Sequence, residues 1–142
     1  MPRLPNGRYT QFDTTADMGI DVVSDTIEHL FETTAYAMFD LMIDSSALNP
    51  DTHLEVNLES RSLEDLLIDW LNELIFLSET RCVACVRFQV DLNGFRLRAL
   101  VEAVSVIPGS MNRIGMIKAA TYHGLEIAIS DNMLFLHVLF DV

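Results

Sequence analysis

"CVACVRFQVDLNGFRLRALVEAVSV" (residues 82–106) contains two runs in which apolar and polar residues alternate, joined at Asn93-Gly94. A period of two marks a strand buried on one face, and Asn-Gly tolerates the positive φ angles of a tight hairpin turn. The stretch predicts an antiparallel pair. Directly before it, "SLEDLLIDWLNELIFLSETR" (residues 62–81) sets Leu63, Leu66, Leu67, Trp70, Leu71, Leu74 and Leu77 at helical spacing. Asp65, Asp69, Asn72 and Glu73 form much of the other side of this helix, and Ser62 ahead of Asp65 marks its start. A helix feeding a hairpin points to an α+β domain.

The rest of the chain extends that reading. "YTQFD" (9–13) and "MGIDVV" (18–23) read as short strands around an Asp-bearing turn, with Ser24 as the N-cap of a helix from Asp25 to about Ile43. Ile27, Leu30, Phe31, Tyr36, Phe39 and Met42 face its core, while Glu28, His29 and Glu32 fall largely on another face, so the helix should lie amphipathically on a sheet. "SSALNPD" (45–51) breaks it, and "THLEVNLES" (52–60) alternates as a strand. After a break at "PGSMN" (108–112), "MIKAATYHGLEIAI" (116–129) and "MLFLHVLFDV" (133–142) read as strands with the turn "SDN" (130–132) between them. The expectation is one domain over residues 1–142: two long helices packed on a mixed, largely antiparallel sheet, with no repeat or low-complexity linker.

Composition narrows the function classes. With 142 residues at 50% hydrophobic, the chain is long enough for a real core. Twenty-one acidic residues against nine Lys and Arg give a net charge of -12, a field that repels phosphate backbones, so direct nucleic-acid binding is not expected. No targeting segment or membrane span is evident, and a cytoplasmic location is the default. Cys82 and Cys85 form a C-x-x-C spacing, but on a strand such residues point to opposite faces, whereas redox and zinc pairs sit on turns or helix starts. Two reduced cysteines are expected. No nucleophile elbow, Walker motif or dinucleotide fingerprint occurs. None of the four histidines has zinc-site spacing; His29 and His53 read as solvated, and His137 as a core or sheet-face residue.

Carboxylates at special places remain. Asp13 and Asp17 flank the first turn, and Asp141 immediately precedes Val142 with its expected terminal carboxylate. Brought together, these groups would repel one another unless a hard cation such as Ca²⁺ or Mg²⁺ were held among their oxygens. Aspartates at turns also bond to nearby backbone N–H groups, and a terminal Asp is often merely exposed, so spacing alone leaves both readings open.

Five motifs, in order and over nearly the whole length, resemble those of the archease family. "FDTTADMGI" resembles the opening D-H-T-A-D-x-G-I signature, and "LFETTAYAMFDLMID" the first-helix motif. "SLEDLLIDWLNELIFL" is similar to the family's L-x-x-L-L-x-x-W-L-N-E-L-L helix, "IKAATYHGLEI" to K-A-x-T-Y-H-x-L, and the closing "FDV" to the final D-[VI]. The resemblance implies a non-catalytic protein partner of the RtcB-type RNA ligase, which joins RNA ends in tRNA splicing or RNA repair through a guanylylated histidine. Such a partner promotes guanylylation and multiple turnover. It also implies a divalent metal (Ca, Mg or Mn) on Asp17, Asp141 and Val142, with Asp13 as a neighbour holding the turn. Thr14 departs from the family's usual His. Two alternatives stand beside this: a stand-alone metal-dependent phosphohydrolase, and a chaperone-like interaction module using an apolar surface.

Overall fold

The computed structural model describes residues 7–13, 17–44, 48–107 and 113–142. They form β1 (Gly7–Asp13), β2 (Asp17–Ser24), α1 (Ile27–Asp40), β3 (Thr52–Glu59), α2 (Leu63–Arg81), β4 (Val83–Asn93), β5 (Arg96–Ser105), β6 (Ala119–Ser130) and β7 (Met133–Asp141). Residues 45–47 of the expected break at 45–51, the break at 108–112, and the turn residues 14–16 with Thr14 lie outside the described residues.

The α+β class holds, and two sheets stand where one was expected. One has the order β1-β2-β7-β6 and the other β3-β5-β4. Each pairing described is antiparallel, so no mixed character is seen among the described residues. The decisive hairpin forms, but it closes one residue later than an Asn-Gly centre implies. Asn93 pairs with Arg96, leaving Gly94-Phe95 as the loop, and Gly94 alone takes a positive φ of 62°. That is the glycine-first type II′ pattern. Asp131 and Asn132, at φ 50° and 62°, make the turn with two positive-φ residues, between Ser130 and Met133 of the last hairpin.

Helix α1 departs from the amphipathic expectation. None of its residues is fully exposed, because it contacts β1, β2 and β7 of one sheet and β4 of the other. Its N-cap is Thr26, whose hydroxyl accepts from His29 N at 3.1 Å. Ser24 is not the cap: it is still paired in β2, with Leu134 on one side and Gly7 on the other, which delays the helix. Helix α2 begins as expected, Ser62 accepting from Asp65 N at 3.1 Å, and buries Leu66, Leu67, Trp70, Leu71 and Leu74. It touches β6 of one sheet and β3 and β4 of the other.

The two helices meet where Trp70 Nε1–H donates to the Phe31 carbonyl at 3.1 Å. The indole is fully buried and makes a T-shaped contact with Phe88 of β4. A buried indole N–H needs such a partner, and the bond fixes how far α2 can slide along α1. Trp70→Phe removes the donor and opens a void. It should cost about 1–3 kcal/mol, read as a lower urea midpoint with an unchanged slope.

Candidate functional site

Strands β2 and β7 run antiparallel with Asp17 directly opposite Asp141. Directly opposed residues of an antiparallel pair share a face, their Cβ atoms about 4.5–5.5 Å apart, and like charges so placed destabilise the pair. Asp17 is half-buried and Asp141 exposed. On the other side of β7, Ala119 of β6 is the partner of Asp141, and Lys118 N donates to the Asp141 carbonyl at 2.8 Å. The end of β7 is thus held from both flanks. Val142 follows, exposed. Asp13 ends β1 opposite Met18, and its placement is described through that backbone register only.

The structure therefore brings Asp17 and Asp141 together from opposite ends of the sequence and sets Val142 beside them. Among the described residues no three His, Cys, Asp or Glu side chains converge on a point. The donors that do gather are oxygens carrying like charge, a set whose chemistry suits a hard divalent cation and not zinc held by sulfur or nitrogen.

Packing on the same face explains why the strand ends are so placed. Gly19, two residues beyond Asp17, pairs with Phe12 of β1 and Leu139 of β7. A Cβ at Gly19 would collide with the Phe12 ring and with Leu139 Cδ2, so the missing side chain is what lets the ring lie across β2. Phe12 then stacks on His137, ring centroids 5.0 Å apart and planes 8° apart. His137 Nδ1 is bound to Asp21 Oδ1 at 2.7 Å. Next door, β6 carries a wide bulge in which Tyr122, His123, Gly124 and Leu125 stand opposite Val138 alone. Gly124 turns the bulge at φ 69°, and Tyr122 donates to Asp65 of α2 at 2.7 Å, a bond to a carboxylate that pushes the phenol up to about 12.

The sequence reading missed this layer. An isolated glycine inside a strand pattern signals a close approach of another group, and Gly19 was that signal. Asn72 was also misplaced on the solvent side of α2. It is half-buried, accepts from Ala120 N at 2.8 Å and donates to Ala120 O at 3.5 Å, fastening the start of β6. His29 is partly covered and bound to Asp25 at 2.7 Å, His53 is exposed as expected, and His137 is a sheet-face residue. Cys82 is not on a strand. It is the left-handed C-cap of α2, exposed, while Cys85 is buried in β4, where burial pushes its thiol up to about 12.

Two antiparallel sheets around two helices, with an aspartate pair closing the strands that join the two ends of the chain, define an α+β protein with an acidic strand edge. The sequence model of the Archease protein family (MTH1598/TM1083) matches residues 9–142, and the chain belongs to that family. It is 36% identical to the protein archease of Methanosarcina mazei over 125 residues, covering 84% of this chain and 86% of the relative. The archease of Methanosarcina barkeri is 38% identical over 127 residues, with 84% and 86% covered. The solution structure of Methanobacterium thermoautotrophicum protein 1598 superposes with a TM-score of 0.77 at 30% identity, covering 94% of this chain and 98% of that one. A Thermotoga maritima crystal structure, described as an archease and possible chaperone, shares the fold with a TM-score of 0.63 at 22% identity over 94% and 96% of the two chains.

Two measurements test this geometry. Gly19→Ala should lose about 1–3 kcal/mol from overpacking, and most of that loss should disappear in the Phe12→Ala background, where the ring is gone. Iodoacetamide under native conditions should label Cys82 within minutes and leave Cys85 unmodified until denaturant is added, followed by intact-mass measurement.

Proposed function

We propose that this protein is a non-catalytic activator of an RtcB-type RNA ligase, acting in tRNA splicing or RNA repair to promote ligase guanylylation and multiple turnover. Family membership supports the reading, and the observation that carries it to particular residues is the register that sets Asp17 against Asp141. Asp17, Asp141 and Val142 would hold a divalent ion (Ca, Mg or Mn), with Asp13 at the neighbouring strand end. Bound there, such an ion neutralises the paired carboxylates and offers open positions to phosphate oxygens.

The chain's own part is positional. Hydrogen-bonded strands on both sides of β7 hold Asp141 at the rim of the sheet, where it can enter a basic, metal-containing nucleotide site on the ligase. The net charge of -12 speeds that encounter at low salt and keeps the protein away from RNA backbones. A cytoplasmic location belongs to the same reading.

The test is ligase guanylylation and multiple-turnover joining with GTP and a divalent metal. Asp17→Ala and Asp141→Ala should each reduce stimulation by about tenfold or more, and full stimulation by both would sink the assignment. Thermal unfolding supplies a second readout. Without metal, Asp141→Ala relieves like-charge repulsion and should melt no lower than wild type, while excess divalent ion should raise the melting temperature of wild type alone.

A further inference from the structure

The outer faces of the two sheets treat their acids differently. On β3-β5-β4, carboxylates are matched by arginines: Arg96 to Glu59 at 2.9 Å, Arg98 to Glu55 at 3.3 Å and Arg87 to Glu102 at 2.8 Å. Three of the chain's nine Lys and Arg residues are used there. On β1-β2-β7-β6, the register lines up Asp21, His137 and Glu126 in one row across β2, β7 and β6, with the Asp17–Asp141 pair at the end of the same face. Arg8, opposite Val23, stands at its far margin.

That face also has a floor and a cleft. A depression of about 540 Å³ is lined by Val23, Gly124, Glu126, Ala128, Phe135 and His137. Phe135 is 40% exposed in it. Gly124 turns the bulge at its side with a φ of 69°, a conformation that side chains rarely adopt, while a Cβ there would meet His137 Nε2 only in ordinary contact at 3.9 Å. Asp21 and the stacked Phe12 ring immobilise the imidazole, so this wall is ordered before anything arrives. From Asp141 to Phe135 the strand runs about 20 Å, the scale of one side of an ordinary protein interface.

We propose that this face is the docking surface for the ligase, and that the cleft takes a basic segment of it, with Arg or Lys groups against Glu126 and Asp21 and an apolar or guanidinium group over Phe135. Charge complementarity selects this occupant: the cleft joins carboxylates to an aromatic floor, a combination that attracts cations, arginine above all. The face is continuous with the Asp17–Asp141 edge, so docking here delivers that edge to the partner. The inference rests on the ligase reading given above.

Binding of purified ligase, measured by calorimetry at two salt concentrations, tests it. Glu126→Lys and Phe135→Ala should each weaken binding by about tenfold or more, the former with a shallower salt dependence, while Glu55→Lys on the other sheet stays within about twofold. Circular dichroism melts check that each variant is folded, and Glu126→Gln separates loss of charge from its reversal. Wild-type affinity in Glu126→Lys and Phe135→Ala, or an equal loss from Glu55→Lys, overturns the docking face while leaving the ligase reading intact. Absence of both binding and stimulation by wild type overturns both.

Discussion

The pairing of β2 with β7 is the constraint on which the rest of the molecule depends. It joins residues 17–24 to residues 134–141, so nearly the whole chain is looped between two strands that lie side by side. Ile20 and Val22 from one strand, and Leu136, Val138 and Phe140 from the other, are buried toward α1. Bringing such distant segments together costs loop-closure entropy that only the collected core can offset. The pairing joins two units that are each local, β1 with β2 and β6 with β7, into one four-stranded sheet.

Around this centre, polar side chains from the helices finish what the sheets leave open. Glu32 of α1 accepts from Val90 N of β4 at 2.8 Å, Asp40 of α1 accepts from the Tyr9 hydroxyl of β1 at 2.8 Å, and Asn72 of α2 is tied to Ala120 of β6. Each of those strands is an edge of its sheet. Edge strands present unpaired backbone groups; Glu32 and Asn72 satisfy such groups on β4 and β6, which removes a cost and fixes where those edges lie, while Asp40 holds β1 through a side-chain hydroxyl. Half-buried Glu32 and Asp40, held in these bonds, show how α1 carries acids without having a fully exposed face.

How much of this was legible followed from how local each signal is. The period of Leu and Trp in α2, the alternation in β3 and β5, and the turn residues at 94 and 131–132 are short-range patterns, and all gave the correct element. The division into two sheets was not visible, because it depends on which strands find each other across the chain. Faces failed where tertiary contact reversed them: α1 was read as half-solvated from Glu28, His29 and Glu32, yet a second sheet covers that side. At the site, Asp17 and Asp141 stood out as aspartates at special positions, but their meeting needed a register that no local pattern contains. His137 was read correctly as a core or sheet-face residue, but its stacking with Phe12 over Gly19 was not visible, because that contact joins three strands.

Cys82 is the single residue between two elements: it caps α2 in the left-handed conformation, and β4 begins at Val83. Its carbonyl also accepts from Val106 N, which ties the start of β4 to the segment leaving β5. Helix and hairpin are consequently locked in phase. A residue inserted there would slide β4 by one position and turn its buried side chains to the opposite face. A change of length at this junction therefore carries the cost of re-facing a whole strand, which makes residue 82 the point that sets the phase of the hairpin against the helix.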